Sequence, residues 1–181
     1  MTRQTKYVIL FFMFVTFFTV FEMNVVLPLA PSIARRYGIA LADISLLNLG
    51  YSLMGLLAPV FGYYSDRYNI KRVLLLNFIF CAGCAVMVWG KGIFVFVVAR
   101  SLIGLSYYSI VGLTAAYTAG AVSPDKIGYV GGFYKLAFGI GIVTSPMLGA
   151  WITEYFDFTV IYILLLGAGL LGAAGVLFLP P

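Results

Sequence analysis

The feature that most constrains this chain is a series of apolar runs, each about 20 residues long, separated by short polar or glycine-containing breaks. A helix of roughly 17 to 25 such residues crosses a hydrocarbon core of about 30 Å. Lipid offers no hydrogen bonds to the backbone, so these runs predict membrane-spanning α-helices. The sequence predicts one all-α integral membrane domain over residues 1–181, with spans at about 7–29, 44–62, 73–90, 93–117, 129–152 and 158–179.

The composition excludes an ordinary soluble domain, because 63% of the residues are hydrophobic and 9% are charged, against about a quarter charged in soluble proteins. The net charge of +5 is scattered in short clusters between the apolar runs, without the continuous basic face that nucleic acid requires. There is no histidine, and Cys81 and Cys84 lie inside an apolar run. We therefore expect a lipid bilayer around the chain, no metal, no cofactor, and carboxylates as the carriers of any proton.

Orientation is predicted from the lysines and arginines near the span ends, which are more frequent on the cytoplasmic side of a membrane. If the N-terminus is inside, six of these residues face the cytoplasm and three face outward. We therefore expect a multi-pass protein of the cell membrane with both termini in the cytoplasm. The inner residues are Arg3, Lys6, Arg67, Lys71, Arg72 and Lys126, and the outer ones are Arg35, Arg36 and Lys91.

The loop between the second and third predicted spans, residues 62–72, reads GYYSDRYNIKR. The pattern G-x-x-x-D-R, followed by a turn residue and a basic pair, resembles the signature loop of the major facilitator superfamily. Asn69 stands where that family usually has glycine, and Ile70 where it usually has a basic residue. The resemblance implies that Asp66 caps a helix in the other half of a transporter and latches its outward-facing state; a topogenic basic loop is the alternative. The matching positions are Gly62, Asp66, Arg67, Lys71 and Arg72.

Two charged residues are predicted at the same depth inside spans. Glu22 is the one carboxylate within a span, and Arg100 begins the pattern Arg100-x-x-x-Gly104, which resembles the family's arginine motif implicated in proton coupling. Each lies about 10 Å from the outer end of its span at 1.5 Å per residue. Charges inside a membrane are costly and mark proton relays or ligand sites. We expect Glu22 to carry a proton and Arg100 to tune it; a fixed structural pair, or an arginine that snorkels to the interface, are the alternatives.

A third resemblance lies in the fifth predicted span, where small residues and one proline recur at fixed intervals. The pattern is similar to the motif that marks proton-coupled antiporters of the superfamily, with serine and alanine in place of two of its glycines. Small residues four positions apart let helices approach closely in lipid, so a tightly packed, bent helix without a bearing on transport is the alternative. The positions are Gly132, Gly141, Ser145, Pro146 and Gly149.

Several polar and aromatic residues inside the spans are candidates for lining a substrate route. Tyrosine offers a flat apolar face and one hydroxyl, which suits amphipathic molecules. It is also common at bilayer interfaces, which is the alternative for each of these tyrosines. The candidates are Asn24, Asn48, Tyr51, Tyr107, Tyr108 and Tyr134.

The resemblance implies half of a twelve-helix fold, built as two three-helix inverted repeats, with the substrate site at the interface with a second six-helix half. That half is expected either as a covalent C-terminal half or as another chain, and the ending Leu179-Pro180-Pro181 favours a truncated form. The leading hypothesis is a transporter, not an enzyme, that exchanges protons for small amphipathic organic molecules and exports them. The alternatives are a sugar or amino-acid transporter, and a non-transporting membrane subunit of the same fold.

Overall fold

The computed structural model describes residues 3–75 and 78–179, and within these ranges every regular element is helical. Short 3₁₀ turns at Leu41–Asp43, Met54–Leu57 and Pro124–Lys126 join some of the helices. The all-α class predicted from the sequence is therefore confirmed. The α-helices are α1 (Arg3–Tyr37), α2 (Ile44–Leu47), α3 (Leu49–Leu53), α4 (Ala58–Arg67), α5 (Ile70–Leu75), α6 (Phe78–Trp89), α7 (Ile93–Ala121), α8 (Ile127–Tyr155) and α9 (Thr159–Leu177).

Five helical stretches of the described chain are long and apolar enough to cross a membrane. They correspond to the first, third, fourth, fifth and sixth predicted spans, although several extend beyond the predicted bounds. In α1, for example, Pro28 and Pro31 lie inside the helix, which continues to Tyr37. Membrane helices tolerate proline because neighbouring groups satisfy the backbone that it frees. The stretches are Thr5–Tyr37, Ile70–Trp89, Ile93–Ala121, Pro124–Tyr155 and Thr159–Leu177.

The second predicted span, residues 44–62, forms short helical segments instead of one long helix. Gly55 lies in the 3₁₀ turn between α3 and α4, and Pro59 lies in the first turn of α4. Glycine weakens a helix and proline lacks the amide hydrogen of a continuous helix, which explains the break between α3 and α4. The count of six spans therefore stays a prediction.

The hairpin predicted between the third and fourth spans lies where α6 ends at Trp89 and α7 begins at Ile93. Gly92 has a φ of 84°, in the left-handed region that glycine adopts without strain. This residue lets the chain reverse within three positions, so that α6 and α7 pack side by side.

The helix that carries Glu22, α1, packs along α8 and also contacts α7 and α9. Three apolar clusters lie in the interior of the described chain: a larger one around the C-terminal half of α1, a smaller one around its N-terminal half, and a third of Ile9, Val122 and Val130. The larger cluster continues on both sides of Glu22, so this acid is buried among apolar side chains. Members of the larger cluster include Val20, Phe21, Val25, Leu29, Phe96 and Ile103, and members of the smaller include Phe12, Leu113 and Val176.

The C-terminal end of α1 is bonded to the C-terminal end of α6. Arg36 Nη2 donates to the carbonyl oxygen of Val88 at 3.0 Å, and the Tyr37 hydroxyl donates to that of Met87 at 2.8 Å. The last carbonyls of a helix have no partner within it, so these side chains stabilise the end of α6. Arg36 therefore has a structural contact at what is predicted to be the outer surface.

Candidate functional site

The site is built around an ion pair between α1 and α7. Arg100 Nη1 contacts Glu22 Oε1, and both side chains have an exposed fraction of 0%. Removing two charges from water is expensive, and their mutual attraction repays this only with good geometry and further hydrogen bonds. The two residues predicted to share a depth are therefore in direct contact. The charge of each is compensated mainly by the charge of the other.

Arg100 is held by a second set of contacts from the broken segment after α1. Its Nε donates to Asn48 Oδ1 at 2.7 Å, and its Cζ lies 4.4 Å from the centre of the Tyr51 ring. Asn48 lies between α2 and α3, so the break in this segment positions the amide. A guanidinium over an aromatic face is stabilised by the electrons of the ring.

Gly104 explains why α3 comes so close to Arg100. A Cβ atom at this position would lie 2.3 Å from the carbonyl oxygen of Tyr51, so only glycine lets α3 and α7 approach to this distance. Arg100 and Gly104 are one turn apart and share a face of α7. The Arg-x-x-x-Gly spacing thus gives Tyr51 two contacts on one face of α7. Its backbone approaches Gly104, and its ring covers the guanidinium of Arg100.

Tyr162 is a member of the site that the sequence reasoning missed. Its hydroxyl donates to Glu22 Oε1 at 3.3 Å, and the side chain is fully buried on α9. The available signal was weak, because a tyrosine near the start of an apolar span is typical of a bilayer interface. With Tyr162, four separate parts of the fold meet at the ion pair, namely α1, the α2–α3 segment, α7 and α9.

Three buried polar atoms of this cluster have no hydrogen-bond partner among the described residues. They are Glu22 Oε2, Arg100 Nη2 and the Tyr51 hydroxyl. Most buried polar groups in proteins are paired, so unpaired ones require an explanation. Here the ion pair uses one oxygen and one nitrogen, which leaves Glu22 Oε2 able to accept a proton and Arg100 Nη2 able to donate to a polar group.

Of the six residues predicted to line a substrate route, four lie in or beside this cluster. The Tyr107 and Tyr108 rings are centred 5.8 and 5.9 Å from the Tyr51 ring. Together with Asn48 they extend the site from the ion pair to the half-buried Tyr108. This aromatic extension is apolar on its ring faces and polar at its hydroxyls.

The other two lining candidates lie elsewhere. Asn24 Nδ2 donates to the Val20 carbonyl of its own helix at 2.9 Å. The Tyr134 hydroxyl lies 3.0 Å from Thr118 Oγ1, and its ring packs 5.9 Å from that of Phe12. Tyr134 therefore belongs with the smaller apolar cluster, away from Glu22.

The residues predicted as a conformational latch lie around the end of α4 and in α5. Asp66 is exposed, and its side chain makes no ion pair or hydrogen bond with the described part of the chain. Arg67 Nη1 donates to the Tyr63 hydroxyl at 2.8 Å, and Lys71 Nζ donates to the Leu179 carbonyl. Gly62 and Arg72 are exposed.

Asn69 stands where the family usually has glycine, and its local contacts explain why asparagine fits there. Its Oδ1 accepts the Lys71 amide at 2.9 Å, and its carbonyl oxygen accepts the Arg72 amide at the same distance. The asparagine thus caps the N-terminus of α5. The basic pair follows directly within this helix.

The antiporter-like residues of α8 divide into two groups. Gly141, Ser145 and Gly149 are buried, and Cβ atoms on the two glycines would lie 3.1 Å from Val20 Cγ1 and 2.6 Å from Val25 Cγ2 of α1. Gly132 and Pro146 are exposed. The small residues therefore form the seam by which α8 packs on the helix that carries Glu22.

Known proteins match this chain along most of its length. Tetracycline resistance protein, class H, of Pasteurella multocida is 30% identical over 65% of this chain and 28% of its own. Multidrug resistance protein 3 of Bacillus subtilis is 28% identical over 53% of this chain and 19% of its own. An uncharacterized MFS-type transporter of Mycobacterium tuberculosis is 28% identical over 73% of this chain and 19% of its own.

The chain therefore covers less than a third of the length of these relatives, which are described as resistance proteins or transporters rather than enzymes. The sequence profile of the Major Facilitator Superfamily matches residues 12–181. The match agrees with the all-α membrane fold. The resemblance identified in the sequence is thereby confirmed: this multi-pass membrane protein belongs to the Major Facilitator Superfamily.

Proposed function

We propose that this chain is one six-helix half of a secondary active transporter that exports small amphipathic organic molecules in exchange for protons, by alternating access. The buried contact between Glu22 and Arg100 carries the proposal. An ionisable pair inside a membrane bundle is costly to keep and is typical of proton pathways. The relatives described as tetracycline and multidrug resistance proteins support the class of substrate.

Protonation of Glu22 changes the balance of the site. The carboxylate is held by Arg100 and Tyr162, and both interactions favour its charged form, whereas burial disfavours that form. When a proton binds, the guanidinium loses its compensating charge while it is still fully buried. Leaving such a charge unpaired destabilises a protein by about 3 to 5 kcal/mol, which exceeds the 1 to 3 kcal/mol typical of coupling between two sites.

A conformation that hydrates Arg100 would relieve this cost. Protonation of Glu22 therefore favours that conformation, which links proton binding to the conformational change. Arg100 also contacts Asn48 and Tyr51, so a change around Arg100 affects the α2–α3 segment as well. Through Tyr51 it reaches the aromatic extension formed by Tyr107 and Tyr108. We infer that the substrate binds against these rings, where an amphipathic molecule finds both flat apolar faces and hydroxyls.

The second partner in this proposal is another six-helix half, either covalent or supplied by a second chain. Asp66 is exposed and available to a helix N-terminus of that half. The α8 face opposite α1 presents exposed apolar side chains, among them Leu136, Val143 and Met147. We place the transporter in the cell membrane with both termini of this chain in the cytoplasm, on the basis of the basic residues near the span ends.

The test is transport by the complete protein in proteoliposomes under an imposed pH gradient. Glu22→Gln is expected to abolish gradient-driven transport while substrate exchange without a gradient continues, because glutamine cannot carry the proton. Glu154→Gln, which removes an exposed carboxylate near the end of α8, is the matched control and is expected to transport normally. Undiminished gradient-driven transport by Glu22→Gln would rule out the proposal.

A further inference from the structure

Both hydrogen bonds that Glu22 accepts end on the same carboxylate oxygen. Arg100 Nη1 and the Tyr162 hydroxyl both donate to Oε1, whereas Oε2 has no partner among the described residues. Donors stabilise negative charge on the oxygen they contact and make it the weaker base. The carboxylate is therefore asymmetric, with Oε2 as the oxygen free to accept a proton.

We propose that Tyr162 is a positioning residue for the Glu22 proton. Its hydroxyl reaches from α9 and holds Oε1 together with Arg100, which directs protonation to Oε2 and sets how tightly the proton is held. The proposal rests on the proposed function in one respect, namely that the proton on Glu22 is the one exchanged for substrate. It adds α9 to the elements that sense the protonation state.

A purely structural hydroxyl in this protein looks different. Tyr37 is buried and donates to the backbone carbonyl of Met87 at 2.8 Å. Tyr162 instead donates to a carboxylate, although its ring packs in the larger apolar cluster in the same way. The two tyrosines are thus a matched pair, because each loses one buried hydroxyl bond on mutation to phenylalanine but only one of the bonds ends on Glu22.

Four titratable or charged side chains from other helices lie near enough to Glu22 to interact with it electrostatically. They are Arg100 on α7, Tyr51 on α3, Cys84 on α6 and Tyr162 on α9. Tyr162→Phe removes a neutral donor and leaves the other three in place, so the net charge of the site does not change. Loss of a donor that favours the charged carboxylate makes the proton bind more tightly. The expected shift is roughly one pH unit, or tenfold in proton affinity, the size of one hydrogen bond to an ionised group.

Infrared difference spectroscopy of the full chain in lipid nanodiscs measures this directly. The carbonyl band of a protonated carboxyl group that disappears in Glu22→Gln is titrated in the parent protein, Tyr162→Phe and Tyr37→Phe. We expect the midpoint to move about one unit to higher pH in Tyr162→Phe and to stay unchanged in Tyr37→Phe. Fluorotyrosine at position 162, a stronger donor of nearly the same shape, is expected to move it to lower pH.

An unchanged midpoint in Tyr162→Phe, an equal shift in Tyr37→Phe, or the absence of any band that depends on Glu22 would each overturn the inference. The proteoliposome assay separates this result from the proposed function. If the midpoint moves as expected but Glu22→Gln still transports, the role of Tyr162 stands and the proposed function fails. If Glu22→Gln loses gradient-driven transport while Tyr162→Phe titrates like the parent protein, the proposed function stands and the role of Tyr162 fails.

Discussion

Replacing Arg100 by methionine is expected to cost less stability at acidic pH than replacing Glu22 by glutamine, because only one of the two buried ions can neutralise itself. In Arg100→Met, the remaining carboxylate can take up a proton. In Glu22→Gln, the remaining guanidinium stays charged at any accessible pH. Since both side chains are fully buried, that uncompensated charge should destabilise the fold by about 3 to 5 kcal/mol.

The loss of stability in Arg100→Met is set by the free energy needed to keep the Glu22 carboxyl group neutral in the folded protein. An ordinary glutamate releases its proton near pH 4.3, so this costs about 3.7 kcal/mol at pH 7 and about 1 kcal/mol at pH 5. Between these values the folded variant binds a proton that the unfolded chain does not, so its stability rises as the pH falls. Glu22→Gln has no such group, and its deficit is expected to stay flat over the same interval.

The assay is unfolding of the purified protein in dodecylmaltoside micelles with increasing dodecyl sulfate, followed by circular dichroism at several pH values. The double variant, Glu22→Gln with Arg100→Met, is the control for lost packing. Because both charges are removed, it should be more stable than Glu22→Gln alone. If the deficit of Arg100→Met does not shrink on acidification, or if it exceeds that of Glu22→Gln at pH 5, the site does not hold a charged pair.

Asp66→Asn is expected to shift the conformational balance of the complete transporter toward the inward-facing state by about 0.3 to 2 kcal/mol, the range for an acid at a helix N-terminus. Spin-label distances across the two halves measure this, and Asp125→Asn, an exposed acid in another turn, should leave them unchanged. Gly104→Ala is expected to lower the free energy of unfolding by about 1 to 3 kcal/mol, because its Cβ would lie 2.3 Å from the backbone of α3. Gly112→Ala, where a Cβ meets nothing within 4 Å, should be neutral or stabilising in the same unfolding assay.

The meeting of Glu22 and Arg100 could be predicted because depth in a membrane helix follows from sequence position. The rise per residue is fixed, so two charges equally far from the same surface share a level. Because each buried charge is costly in lipid, contact between Glu22 and Arg100 is then favoured. The sequence alone did not show which way each helix is rotated, and for this reason Tyr162 was missed and Tyr134 was grouped with residues that it does not contact.

The broken second segment shows another limit of hydropathy. Residues 44–62 are apolar enough to resemble a continuous span, because hydropathy averages over a window and does not register Gly55 or Pro59 as breaks. A separate break, between α2 and α3, places Asn48, whose amide oxygen accepts a hydrogen bond from Arg100. A residue predicted to line a substrate route thus also supports the ion pair, a contact that depends on local backbone geometry.

The bonds from Arg36 and Tyr37 to the end of α6 have a consequence for biogenesis. In the proposed orientation these residues cross the membrane with the first helix, before α6 has packed against the rest of the bundle. During this interval the carbonyls of Met87 and Val88 are not yet in position to accept these hydrogen bonds, and the Arg36 guanidinium is surrounded by water and lipid headgroups. Arg35 and Arg36 therefore oppose the proposed topology while the chain is being inserted. In this orientation, correct insertion depends on the basic residues predicted to face the cytoplasm, among them Arg3 and Lys6 before the first span and Arg67, Lys71 and Arg72 after the second. The mature fold later gives Arg36 a hydrogen bond to the Val88 carbonyl.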